Sequence, residues 1–346
     1  MYDVIVVGAG PAGSAAAHAL AARGRRVLLA ERCRMPRYKS CSGQLIRKSL
    51  DLVRLYFGKE VPLAVTCTPA ENRGMVLTDG QGRSCRFVQS GLNVWRSSFD
   101  QWLALQAAAA GAELREKVAA LSCSQEDGLV SVTFKGEDTY VEQARYLIDC
   151  EGVTGPLHRK LRGRDVPRVT TFQTFNQGSI ELDHHYFYAW LQPELSEYDA
   201  WFNVKDNRLV LGVCVADPGN VSLYYDRFIS FLTERHGLRI ERRLKDDRWQ
   251  MPRVRPGCPI DHGQGRVLFA GETAGFLNPM GEGISAALES GHNAALAVDA
   301  HFDDPPGALA EYRRTTAELQ AYMQRQWRFI GGLSDRFRDM QDSLSV

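Results

Sequence analysis

Val4-Ile5-Val6-Val7-Gly8-Ala9-Gly10-Pro11-Ala12-Gly13 decides how this chain is read. The first four residues are a short, continuous apolar run of β-branched side chains, the pattern of a parallel strand buried on both faces. Each glycine then serves a physical purpose. Gly8 permits a tight turn, Gly10 lets backbone approach a pyrophosphate, and Gly13 lets a helix pack closely on the strand. Pro11 suits a first helical turn, where no N–H is needed. Ser14 to Arg23 reads as an Ala-rich helix, Gly24 as its left-handed cap, and Val27-Leu28-Leu29-Ala30 as a second buried strand ending in Glu31. Glu31 lies 18 residues beyond Gly13, where a ribose hydroxyl needs a carboxylate acceptor. Ala12 belongs to the same turn, whose free N–H groups and partial positive charge suit a diphosphate. This βαβ unit leaves NAD and FAD both open.

The composition narrows the class. The chain has 346 residues, 44% hydrophobic and 24% charged, enough for a sizeable core, and this excludes disorder, collagen and coiled coil. With 42 Lys+Arg against 41 Asp+Glu the net charge is +1, which offers no bulk field for nucleic acid. Cysteines at 33, 41, 67, 85, 123, 150, 214 and 258 are scattered singly with no CxxC pair, as expected of reduced thiols in a cytoplasmic protein. The N-terminus lacks the basic region and cleavage site of an export signal, so the mature protein is expected to start there. Residues 4–22 are interrupted by Gly8, Gly10, Pro11 and Gly13, so no transmembrane segment is expected. No metal site is expected: His184 and His185 are adjacent and would point to opposite faces of a strand. No GxSxG nucleophile elbow occurs.

Beyond Glu31 the chain reads Arg32-Cys33-Arg34-Met35-Pro36-Arg37-Tyr38-Lys39-Ser40-Cys41-Ser42-Gly43. An acidic-basic end of the second strand, then Pro and Lys-x-Cys-x-Gly, resembles the geranylgeranyl reductases of the p-hydroxybenzoate hydroxylase-like flavoprotein superfamily. Their usual form is Lys-x-Cys-Gly-Gly, so Ser42 departs from it. The resemblance implies FAD and places Arg32, Lys39, Ser42, Gly43 and Val118 at the cofactor. It puts Cys41 beside the isoalloxazine ring as a catalytic residue, and Arg37 and Lys39 would favour its thiolate if the site is partly wet. Arg96-Ser97-Ser98-Phe99-Asp100 resembles the superfamily's Arg-x-x-Phe-Asp helix, whose arginine reaches ribityl or phosphate oxygens.

Two later blocks extend the likeness. Tyr146-Leu147-Ile148-Asp149-Cys150-Glu151-Gly152 stands where the superfamily has Ala-Asp-Gly-x-x-Ser, with Glu151 for the aspartate and Gly155 for the serine. Gly271-Glu272-Thr273-Ala274-Gly275-Phe276-Leu277-Asn278-Pro279-Met280-Gly281-Glu282-Gly283-Ile284 closely resembles the reductases. It implies cofactor contacts from Gly271, Glu272, Gly281, Gly283 and Ile284, at a helix whose N-terminus faces the flavin N1–C2=O edge. Aromatic hydroxylases usually carry His after this Gly-Asp-Ala element, whereas this chain has Gly275. Glu272 in place of Asp adds a methylene, so its ribityl contact must be re-aimed or lost. The reductases commonly show Tyr-x-Trp-x-Phe-Pro on a pocket strand; Asp199-Ala200-Trp201-Phe202-Asn203-Val204 keeps only the Trp.

The remaining segments read as antiparallel strands: 73–78 and 84–88 around Asp79-Gly80, then 169–175, 186–191, 200–204 and 209–215. Ser222 to His236 reads as a helix capped by Ser222, and Ala308 to Ile330 as a last helix packed through Leu309, Tyr312, Leu319, Met323 and Trp327. Tyr186, Tyr188, Trp190 and Trp201 read as core. The expected fold class is α/β: a Rossmann-type FAD-binding domain (glutathione reductase-like, p-hydroxybenzoate hydroxylase-like) over 1–66, 92–165 and 253–300. An inserted antiparallel substrate domain takes 67–91 and 166–252, and a helical segment 301–346, too short to close over a long polyprenyl group. The implied activity is an FAD-dependent reductase delivering hydride to a carbon–carbon double bond of a small apolar, isoprenoid-like substrate. A flavin monooxygenase and an electron-transfer flavoprotein acting on a quinone stay open. So do the electron donor (NAD(P)H or ferredoxin), an electron-donor protein partner and peripheral contact with a membrane.

Overall fold

The computed structural model describes residues 1–163, 167–253, 256–257, 260–279 and 281–342. Arg164, Cys258, Met280 and the domain boundary at 165 lie outside the described residues. Tyr2–Val7 forms the centre of a mainly parallel sheet because Val4, Ile5 and Val6 are fully buried on both of its faces. It pairs with Val27–Glu31 on one side and Thr139–Asp149 on the other. Glu113–Glu116 extends the first side, and Val267–Phe269 the second. A two-stranded ribbon, Ala119–Glu126 and Leu129–Lys135, hangs antiparallel on Thr139–Asp149.

The first helix spans Pro11–Ala21, so it begins three residues before the expected Ser14; proline, with no N–H to place, opens it. Only His18 among its residues is not buried. Ile284–Ala300 crosses against it, and the contact depends on Gly291, where an added Cβ would lie 2.1 Å from the Ala12 carbonyl oxygen.

The second sheet runs in the order Arg239–Pro252, Arg168–Ser179, Arg208–Val215, Ala200–Lys205, Tyr186–Trp190, Thr66–Thr78, Ser84–Val94 and Gln44–Leu45. It is antiparallel except where Tyr186–Trp190 lies parallel to Thr66–Thr78, a departure from the all-antiparallel expectation. Tyr186, Tyr188 and Trp190 face the helix Val221–His236 and bury there, as core residues. Three other readings are corrected, and two elements were not anticipated. Ser222 lies inside that helix; Asn220 is its N-cap position, and the preceding turn is held by Asp217 accepting from Gly219 N–H. His184 and His185 sit in the turn before Tyr186, not on a strand. The helix Arg47–Phe57 and the strand Arg239–Pro252 were not anticipated. The last helix is longer, Pro305–Leu333, and Asp335–Asp342 follows it.

Among the described residues no helix is long and apolar enough to cross a membrane. The seven described cysteines are free thiols, and no described cluster of His, Cys, Asp and Glu has metal-binding geometry.

Candidate functional site

The carboxyl ends of the parallel strands and the inner face of the second sheet enclose one cavity of about 820 Å³. Ligands of open α/β sheets bind at such strand ends. Of the cofactor and catalytic residues singled out from sequence, all but Gly13 and Gly43 line it. Gly13 packs behind the turn, where a Cβ would sit 1.9 Å from Gly8 O. Gly43, at φ +67°, packs against Val94 O and Lys205 Nζ. Gly8 has φ +96°, and a Cβ on it would meet Cys150 O. Gly10 faces space: a Cβ there would meet only Arg37, at 3.6 Å. Since the first intrahelical bond runs from Ser14 N–H to Gly10 O, the N–H groups of Ala12 and Gly13 have no acceptor within the helix. An open glycine in front of free helical N–H groups fits a diphosphate.

An alternating charge network lines the floor. The Glu31 carboxylate accepts from Ala9 N–H and Cys33 N–H at 3.0 Å each and from Arg37 Nε at 3.2 Å. Arg37 also reaches Asp100 at 2.9 Å, and Arg96 grips Asp100 with both arms at 2.7 and 2.8 Å. Arg96 is therefore buried rather than a surface cation. Lys39 pairs with Glu272 at 3.0 Å, so the longer acid has been re-aimed onto this lysine. Burial alone would raise Asp100 and Glu272, but Arg96 and Arg37 outweigh it at the first and Lys39 at the second, holding both below the usual carboxylate range. Sequence reasoning missed Arg37 and Asp100 as a pair. The only local signal was the i, i+4 spacing of Arg96 and Asp100.

Arg37 and Lys39 are thus engaged by carboxylates and are not aimed at Cys41, contrary to expectation. The cations beside Cys41 are Arg96 and Lys205, and its sulfur accepts the Gly43 N–H at 3.3 Å. The helix Ile284–Ala300 does open onto the cavity, but it carries its own acid there. Glu282 accepts from Ser285 N–H at 2.8 Å and from its hydroxyl at 2.6 Å, so the terminus is partly neutralised. Gly281 needs its φ of +73°, whereas a Cβ on Gly283 would press only the Leu277 side chain.

Glu151 and Gly155 approach each other closely. Glu151 Oε2 accepts the Leu157 N–H at 3.1 Å in the first turn of Pro156–Arg162, capping the helix as a serine at 155 would. A Cβ on Gly155 would lie 2.3 Å from Glu151 Cβ, an atom an aspartate there would also carry, so it is the close approach of the two positions that requires the glycine. We expect Gly155→Ser to lower the melting temperature by forcing the two positions apart, Glu151→Asp to lose the cap at a cost of about 1 kcal/mol, and Asp at 151 not to rescue the serine variant, since the Cβ approach is unchanged. Thermal melts of the four proteins measure this; recovery of stability in the double variant would show that the length of the acid, not the Cβ approach, requires the glycine. Burial and the neighbouring Asp149 also push the Glu151 carboxyl up, and burial does the same to Asp149.

The opposite wall is aromatic. Phe187, Trp201, Trp249, Trp327 and Phe337 line it, so the C-terminal helices, expected to leave little chain for closure, do contribute. Trp201 lies across Gly212 of the adjacent strand, where a Cβ would come within 2.1 Å of the indole. Phe87, Val88 and Phe329 form an exposed apolar mouth. Asp199 lines the wall, and burial pushes its carboxyl up to about 6 despite the nearby Arg336.

Comparison with known proteins agrees with this architecture. Residues 1–232 match the FAD binding domain family. Protein FixC of Salmonella typhi is 33% identical over 169 residues, 46% of this chain and 39% of FixC. The chain thus matches about two fifths of the length of these curated relatives. Digeranylgeranylglycerophospholipid reductase 1 of Methanopyrus kandleri is 28% identical over 331 residues, covering 89% of this chain and 83% of that one. A geranylgeranyl bacteriochlorophyll reductase-like protein of Thermoplasma acidophilum superposes with a TM-score of 0.83 at 20% identity, covering 99% of this chain and 90% of the other. The flavin-dependent halogenase CmlS does so at 0.74 and 19% identity, covering 98% of this chain and 67% of its own. At such identities the structures show a shared fold. The chain belongs to the FAD binding domain family.

Proposed function

We propose that this chain is a reductase that saturates a carbon–carbon double bond of an apolar, isoprenoid-like substrate. The observation that carries the reading is one cavity running from the Gly8–Gly13 turn to an aromatic wall with an apolar mouth. In the proposed complex, Gly8, Gly10, Pro11, Ala12 and Glu31 hold the adenosine diphosphate of FAD. Arg32, Lys39, Arg96, Val118, Gly271 and Glu272 surround its middle, and Cys41, Ser42, Gly281, Gly283 and Ile284 its ring end. When bound, FAD supplies hydride transfer at N5. The protein's work is then to orient the alkene against that end, exclude water with Trp201, Phe187 and Trp327, and set the local charge through Glu282. Cys41 stands at the ring end as the proposed contact to substrate. The electrons come from NAD(P)H or from a ferredoxin-like protein.

The test is to purify the protein, identify the extracted nucleotide, reduce it anaerobically and follow reoxidation. FAD with reoxidation by a polyprenyl alkene is expected. Rapid, substrate-stimulated reoxidation in air would favour a monooxygenase, a reaction against which Gly275 already counts. Reoxidation only by quinone would favour electron transfer. Cys41→Ser should keep normal FAD content while slowing oxidation of the reduced protein by the alkene; unchanged turnover would reduce Cys41 to a packing residue.

A further inference from the structure

The apolar rim of the cavity comes from two elements far apart in sequence. Phe87 and Val88 stand on the strand Ser84–Val94 and Phe329 on the helix Pro305–Leu333, and the rings of Phe87 and Phe329 meet edge to face with centroids 5.9 Å apart. Val88 is 76% exposed, Phe329 42% and Phe87 36%, and all three line the cavity. Other exposed apolar side chains, Leu55, Leu63 and Leu105 among them, do not. At the rim, exposed apolar surface is thus continuous with the cavity interior, and such surface marks a place of contact.

The same two segments carry charge of one sign. Residues 80–94 contain Arg83 and Arg86, residues 319–334 contain Arg325 and Arg328, and neither stretch holds an Asp or Glu, although the whole chain has 42 basic and 41 acidic side chains. Arg83 pairs with Asp79 at 2.8 Å. Arg86, Arg325 and Arg328 are exposed and have no carboxylate partner among the described residues. Arg86 lies over the Tyr186 ring and Arg325 over the Tyr322 ring. Arg325 also stands four residues before Phe329, on the same face of the helix. Exposed apolar groups flanked by arginines complement a bilayer surface whose headgroups carry negative charge: the apolar groups enter the acyl boundary while the guanidinium groups meet phosphates.

A second copy of the chain is the rival occupant, because among the described residues 84–90 have a partner strand, Thr66–Thr78, on one side only. A two-fold contact along that edge would bring the Arg86 side chains of both copies close together. Neither segment holds an acid to pair them, and like charges across a strand pair are destabilising.

We infer that Phe87, Val88 and Phe329, with Arg86, Arg325 and Arg328, dock the protein on the surface of a bilayer that contains anionic lipid, so that the cavity opens onto the acyl region. The inference rests on the reductase reading only for the identity of what passes through the rim.

The test is co-sedimentation of the FAD-loaded full chain with vesicles of phosphatidylcholine, alone or mixed with phosphatidylglycerol, at low and high salt. At low salt the mixed vesicles should bind the protein about tenfold or more strongly than phosphatidylcholine alone, and high salt should remove the difference. Arg325→Gln combined with Arg328→Gln should weaken binding to mixed vesicles by about twentyfold, roughly fivefold for each charge, and leave the weaker binding to phosphatidylcholine unchanged. Val88→Ser combined with Phe329→Ser should weaken binding to both kinds by about tenfold or more. Melting temperature and bound FAD per chain establish that the variants fold, and Arg86→Gln, a change of one exposed side chain, should alone weaken binding to mixed vesicles by about fivefold. Equal binding to both lipids, no binding to either, or binding that neither pair of substitutions weakens would overturn the proposal. A dimer in lipid-free buffer that Val88→Ser dissociates would assign the surface to a second copy instead. Vesicle binding by a protein whose reduced form no alkene reoxidises would leave the docking surface standing and sink the reductase reading, and alkene turnover by a protein that ignores both kinds of vesicle would do the reverse.

Discussion

Asp100→Ala is expected to destabilise the protein by about 3–5 kcal/mol and to strip it of FAD. Asp100 is fully buried and accepts from both Arg96 and Arg37, so its removal leaves two guanidinium groups with no shared counter-charge in the cavity floor. Breaking a buried pair from one side costs several kcal/mol because the partner's desolvation is no longer offset. For a chain of 346 residues that corresponds to a fall in melting temperature of about 4–7 °C. Arg37, released, can also swing away from Glu31 and the Gly10 opening. Asp100→Asn keeps the shape and one acceptor and should lose less. Melting temperature and bound FAD per chain are the measurements, and an unchanged melt in the alanine variant would show that the network carries little energy.

Gly291→Val should yield a colourless protein. The added side chain would begin 2.1 Å from Ala12 O and 2.7 Å from Ala12 C, both backbone atoms that no rotamer change can move. The helix Ile284–Ala300 must then draw back from Pro11–Ala21, and with it the Gly281–Gly283 segment and the Ala12 end of the nucleotide turn. Small-to-large changes cost about 1–3 kcal/mol even where side chains can repack. Here the larger effect is on ligand affinity, because both halves of the FAD-binding surface shift relative to each other. Retention of one FAD per chain by the valine variant would show that this close approach is not what aligns them.

Legibility followed the range of the physics. The strand and turn from Val4 to Gly13 could be read because buried β-branched runs and glycine conformations are local. The strand Arg239–Pro252 could not, since Arg242, Arg243, Lys245, Asp246 and Asp247 break any alternation. Its place comes from edge pairing with Arg168–Ser179 and from Arg243 and Arg248 resting on Phe172. Arg37 and Asp100 are 63 residues apart, beyond any window of periodicity. Trp327 read as core and is buried, yet only its tertiary setting shows the indole N–H without a partner.

The stacking of Trp201 over Gly212 bears on how the pocket can change over generations. A side chain at 212 cannot appear while the indole lies there, so a lineage that widens or reshapes the cavity has to give up the tryptophan first. Only then is position 212 free to vary. Among related sequences, bulk at 212 should therefore be found only with a small residue at 201, and the two positions should be inherited together as one unit of substrate range.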